Sequence, residues 1–90
     1  MRVNTYENWA RVLCHLNGGF LRVEITDAAG DRINMPNFEV PVDNIPPHLR
    51  GIGSRFLLRW SAIWPEEHDT IDEQRAAMAK SFEVIAEAGR

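Results

Sequence analysis

Few of the residues that build reactive centres occur in this protein. Among 90 residues there is one cysteine, Cys14, so no internal disulfide can form, which suits a reducing compartment. Three histidines, His15, His48 and His68, join Cys14 at separations that match no zinc-site spacing. No segment approaches the roughly 20 apolar residues needed to cross a bilayer. Met1–Thr5 also lacks the apolar run of a signal peptide. These absences predict a cytoplasmic protein without metal, cofactor or membrane contact. The length fits one small globular domain over 1–90, because single cores commonly occupy about 100 to 150 residues.

Lysine is nearly absent too, nine of the ten basic residues being arginine. Arginine favours paired recognition at interfaces, and GC-rich coding produces the same bias. Through residue 59 there are seven arginines against six carboxylates. Beyond it, three cations face seven carboxylates. A neutral body with an acidic tail opposes nucleic acid as a default partner.

What the sequence does have is alternation. Arg11–Leu16 and Phe20–Thr26 flank Asn17-Gly18-Gly19, a sequence suited to the positive φ of a tight hairpin. Period two places Val12, Cys14 and Leu16 with Leu21, Val23 and Ile25 on one face. Arg11, His15, Arg22, Glu24 and Thr26 fall on the other. A helix over 8–16 is the alternative reading.

After the Asp27–Asp31 turn, a third strand is expected through Arg32–Met35. Pro36-Asn37 interrupts it, and it resumes at Phe38–Val42 with Phe38, Val40 and Val42 inward. Pro36 and Pro41 assign it to an edge or a bulge. Such an edge either accepts a partner strand or uses its prolines to discourage one. Asp43-Asn44 is expected to cap a helical turn at about 46–50. In the next strand Phe56, Leu58, Trp60, Ala62 and Trp64 share a face. Leu57 and Ile63 fall on the opposite one and need a cover. A C-terminal helix over about 71–88 is expected to supply it, with Thr70 and Glu73 as a capping box and an apolar stripe of Ile71, Met78, Phe82, Ile85 and Gly89. The fold expected is therefore α+β: a small curved antiparallel sheet or partial barrel of four or five strands, a short helical turn and a C-terminal α-helix.

Candidate chemistry is sparse. Adjacent strand residues point to opposite faces, so His15 cannot serve as a base for Cys14. Glu66-Glu67-His68-Asp69 resembles an acid–base cluster, but it lies in a polar loop where the carboxylates favour a helix dipole and stay solvated. Two surfaces remain. Glu66, Glu67, Asp69, Asp72 and Glu73 form an acidic face able to meet a basic groove on another protein. Arg22, Arg55 and Arg59 form a basic face on the sheet, a feature that small barrels also use for single-stranded nucleic acid.

The order of three strands, Ile45-Pro46-Pro47-His48-Leu49, a glycine and a last strand beginning at Phe56 resembles small bacterial β-barrel domains of unassigned role. The likeness spans about residues 10–60 and implies a fold only; Met35-Pro36-Asn37 and the C-terminal segment depart from it. In size and acidity the protein is also similar to accessory proteins of phages and mobile elements, which implies an inhibitor, anti-CRISPR-like or otherwise, that blocks a host protein. The expected function is non-enzymatic protein binding. The alternative is single-strand binding through the arginine face, and a homodimer is a further expectation.

Overall fold

In a computed structural model, which describes the backbone of residues 2–64 and 81–88 and the side chains of residues 4–62 and 81–88, five antiparallel strands form a sheet curled into a half-barrel. They are β1 (Arg2–Leu16), β2 (Phe20–Thr26), β3 (Phe38–Pro41), β4 (Arg55–Trp64) and β5 (Ser81–Glu87), in the order β3-β2-β1-β4-β5. β1 joins the two halves. It pairs with β4 from Arg2↔Trp64 to Arg11↔Arg55, and with β2 from Trp9↔Thr26 to Leu16↔Phe20. The two pairings overlap only over Trp9–Arg11. This stagger, added to the natural twist of strands, bends the sheet toward a barrel.

The Asn17–Gly19 hairpin forms as its sequence implies, and Gly18 takes a φ of 88°. The strand before it differs from strict alternation. Between Val12↔Val23 and Cys14↔Arg22 the register slips by one, leaving Leu13 as the extra residue of a β-bulge. The bulge reverses the alternation that follows. Val12 stays buried, whereas Cys14 stands beside Arg22 and not among Leu21, Val23 and Ile25. The expected grouping of Cys14 and Leu16 with the core residues is corrected accordingly. Its cause is one additional backbone residue, to which a period-two pattern is blind.

The concave face holds the core. Ala10 and Val12 of β1, Leu21, Val23 and Ile25 of β2, Phe38 and Val40 of β3, and Phe56, Leu58, Trp60 and Ala62 of β4 are all buried. The expected inward set of β4 is thus observed from Phe56 to Ala62; the Trp64 and Ile63 side groups lie outside the described ones. Residues 4–8 of β1 have no apolar alternation, yet their register puts Tyr6 opposite Trp60 and Asn8 opposite Leu58. The indole Nε1 of Trp60 donates to Asn8 Oδ1 at 2.9 Å, and Tyr6 stacks on the Trp60 ring at 4.6 Å. A polar residue can face this interior because it satisfies the one donor that Trp60 brings.

The third strand is shorter than expected. Arg32 makes one isolated bridge to Thr26, and only Phe38–Pro41 pairs with β2, at the sheet's margin, where proline is tolerated. Two short 3-10 turns follow, Val42–Asn44 and Pro47–Leu49. The second is the expected helical turn, and it buries Leu49. Its N-terminus receives no cap from a polar side group, so the role given to Asp43 and Asn44 is corrected. Asn44 Nδ2 instead crosses to the far margin of the sheet and donates to the Phe82 carbonyl at 3.1 Å.

The C-terminal α-helix is contradicted where it can be compared. Residues 81–87 form β5, paired with β4 from Ser61↔Ser81 to Phe56↔Glu87; among the described residues no helix reaches seven residues. Thr70, Ile71, Glu73 and Met78 lie outside the described residues. The stripe of Phe82 and Ile85 competes with a second pattern. Phe82 and Val84 alternate with Ser81 and Glu83, so both apolar residues face Trp60 and Leu58, and Ile85 is extruded as a bulge. Pairing with an open β4 edge overrides the helix preference of alanine and glutamate. The fold is a β half-barrel, not α+β. Leu57 accordingly meets Ala86 of a neighbouring strand where a covering helix was expected.

Phe56 is fully buried, whereas Phe82 is only partly so. Denaturant titration should therefore show Phe56→Ala losing about 3–5 kcal/mol of stability and Phe82→Ala clearly less. Equal losses would contradict the peripheral position of β5.

Candidate functional site

The convex face of the sheet is built in rows, because directly opposed residues share a side. Thr5, Ser61 and Ser81 form one row across β1, β4 and β5, and Glu7, Arg59 and Glu83 form the next. Thr26, Trp9, Leu57 and Ala86 follow, then Glu24, Arg11 and Arg55. A half-buried apolar centre of Trp9 and Leu57 therefore lies between two charged rows.

Each arginine of this face is already engaged. Arg59 lies between Glu7 at 3.5 Å and Glu83 at 3.6 Å. Arg11 donates to Glu24 at 2.9 Å, and Arg32 approaches the same carboxylate at 3.8 Å. Arg22 faces Glu39 at 3.6 Å. Those arginines and carboxylates that stand near half exposure gain little stability from the pairing. The effect that matters is on the field: carboxylates interleave the cations, and no continuous positive stripe remains among the described residues.

Arg55 is held differently. Its guanidinium lies 5.8 Å from the centre of the Trp9 ring, within cation–π range, and its Nη2 donates to the Ala28 carbonyl at 3.1 Å. Arg11 Nη1 donates to the Gly30 carbonyl at 3.2 Å. The Asp27–Asp31 turn is thereby tied onto the convex face. Asp27 Oδ1 organises that turn by accepting from the Ala29 and Asp31 amides, both at 2.9 Å. Gly30 is required there, since its φ is 95° and a Cβ would come within 3.1 Å of Arg55 Cζ. Arg55 Nε is buried with no partner among the described residues.

Of the expected site residues, Arg22, Arg55 and Arg59 share the convex face, as the alternation implied. They form no single patch. Arg59 and Arg55 flank the Trp9–Leu57 row, and Arg22 sits beyond the Leu13 bulge beside Cys14. The acidic residues Glu66, Glu67, Asp69, Asp72 and Glu73, with His68, lie outside the described residues. Trp9 is the functional candidate that sequence reasoning missed. Its signal was present, because Trp9 and Arg11 fall two apart and place an aromatic beside a cation on one strand face.

Neither remaining histidine gathers a site. His15 is exposed near the end of β1, and His48 in the Pro47–Leu49 turn contacts the Glu87 carboxylate of β5. Among the described residues no three His, Cys, Asp or Glu are grouped to hold a metal ion, and no helix is long and apolar enough to cross a membrane.

If Gly30 keeps the turn seated against Arg55, Gly30→Ala should cost about 1 kcal/mol or more, since alanine is strained at positive φ. Ala29→Gly serves as the exposed control. Thermal melts of the two variants measure this, and an unchanged midpoint for Gly30→Ala would contradict the tie. Comparison with family models, with curated proteins and with solved structures gives no match.

Proposed function

We propose that the protein is a non-catalytic protein-binding domain that acts by occupying a partner's surface, with the convex face around Trp9 and Leu57 as its contact. The observation that supports this reading is the row order itself. An aromatic and a leucine stand at the centre, with Arg55 and Arg59 beside them and carboxylates interleaved. Tryptophan and arginine are the residues in which binding energy most often concentrates at protein interfaces. A rim of mixed charge gives orientation and specificity against a partner of mixed charge.

The same arrangement disfavours single-stranded nucleic acid. A phosphate backbone would have to take Arg59 from Glu7 and Glu83 and then lie against both carboxylates. The resemblance to phage and mobile-element accessory proteins extends the reading to an inhibitor of a host protein. That extension rests on the likeness in size and charge. The acidic residues 66, 67, 69, 72 and 73 are a second contact in the same reading, suited to a basic groove.

The test is capture of an identified partner by tagged protein, followed by titration of the purified pair. Arg59→Glu leaves the core untouched and should weaken binding by roughly 30-fold, the scale of a hot-spot residue. Trp9→Phe should weaken it less. Unaltered affinity in Arg59→Glu removes the convex face from the contact. Steeply salt-dependent binding to oligonucleotides, lost on changing Arg55 and Arg59 to alanine, would replace the reading with the nucleic-acid one. Self-association in place of a foreign partner would make the face a homodimer contact.

A further inference from the structure

One sequence feature serves the fold and still has unspent chemistry. Asn17 is exposed at the tip of the β1–β2 hairpin and is followed by Gly18. The other five asparagines precede bulkier residues, Thr5, Trp9, Met35, Phe38 and Ile45.

We infer that Asn17 is a site of spontaneous covalent modification: its own amide condenses with the Gly18 backbone nitrogen in the folded protein, converting position 17 to aspartate and isoaspartate. Three observations carry this. The attacking group is accessible, since the Gly18 N–H has no hydrogen-bond partner among the described residues and glycine has no side group to shield it. The Asn17 backbone is free of the ladder, because the last β1–β2 pair is Leu16↔Phe20 and the loop lies beyond it. On the far side Gly18 and Gly19 both take positive φ, at 88° and 83°, a conformation that glycine holds without strain and that leaves no Cβ beside the attacking nitrogen. Among the described residues the loop backbone is tied by the Gly19 carbonyl, which accepts from Val42 N at 2.9 Å, beyond the Asn17–Gly18 bond.

The step balances without any oxidant or cofactor. Gly18 N bonds to Asn17 Cγ, and the Cγ–Nδ2 bond breaks. The departing nitrogen takes up the Gly18 amide proton and leaves as ammonia. The five-membered imide that remains is opened by one water. Opening at Cγ gives aspartate, and opening at the Asn17 backbone carbonyl gives isoaspartate. Both add a negative charge to the hairpin tip. Isoaspartate also lengthens the loop backbone by one methylene, which pulls against the Gly19–Val42 bond. This inference is independent of the partner-binding reading and stands or falls separately.

The experiment holds the purified folded protein at mildly alkaline pH, where the attacking nitrogen loses its proton more readily. Peptide mapping by mass spectrometry then follows each asparagine, with enzymatic detection of isoaspartate. The same protein in denaturant gives the intrinsic rate. Position 17 should gain a single mass unit on the order of tenfold faster than any other asparagine, at a folded rate within a few-fold of the denatured one. An Asn17 that converts in denaturant and persists in the folded protein would overturn the inference. So would any other asparagine converting first. Asn17→Gln should abolish the early mass gain, and a gain of unchanged rate in that variant would place the reaction elsewhere.

Discussion

Ten consecutive backbone pairs between the first two-thirds of β1 and the whole of β4 hold the two parts of the sheet together. Without them, the β1–β2–β3 strands and the β4–β5 pair would be separate ribbons, the latter a two-stranded one that is marginal at best in water. The pairing sets the register that brings Ala10 opposite Phe56 and Asn8 opposite Leu58, and so determines which residues become core. It also sets the convex rows. The same ladder that stacks Phe56, Leu58 and Trp60 inward aligns Glu7 with Arg59 and Trp9 with Leu57 outward.

That coupling explains why the convex face has a pattern when its individual bonds are weak. Exposed ion pairs add little to stability. Yet Glu24, Arg11 and Arg55 sit side by side because the backbone ladder leaves them no other place. Arg55 extends the pattern beyond the sheet. By gripping the Asp27–Asp31 turn through the Ala28 carbonyl and stacking near Trp9, it joins a loop, a strand and an aromatic in one unit. A partner meeting this surface would meet residues already fixed in position, which lowers the entropy lost on association.

Much of the fold was legible where residue type reports the backbone directly. Leu21, Val23 and Ile25 alternate because β2 has core on one side only, and Phe56, Leu58 and Trp60 do the same in β4. Asn17-Gly18-Gly19 and Pro46-Pro47 announced their turns. Three features were hidden. The start of β1 places Asn4, Tyr6 and Asn8 inward, and Asn8 is there to satisfy the Trp60 indole, a reason that exists only once the strands have met. Leu13 bulges, and a lone leucine among outward residues was its one trace. Ser81–Glu87 has helix-forming residues and two competing periods, and the open edge of β4 decided between them. The arginine face was legible as a face. Its neutralisation was not, because Glu7 and Glu83 reach Arg59 from strands far apart in the sequence.

An incompletely closed sheet has two margins, and each has an interruption. On β3, Pro41 removes a donor from the outer row. On β5, the Asn44 amide already occupies the Phe82 carbonyl. An incoming strand would therefore find no unbroken line of groups along β3 or β5, and copies of the molecule meet an obstacle to stacking end on end into fibrils. Asn44, a residue of a three-residue turn, thus withdraws one backbone acceptor from any further strand at an edge that the half-barrel leaves open.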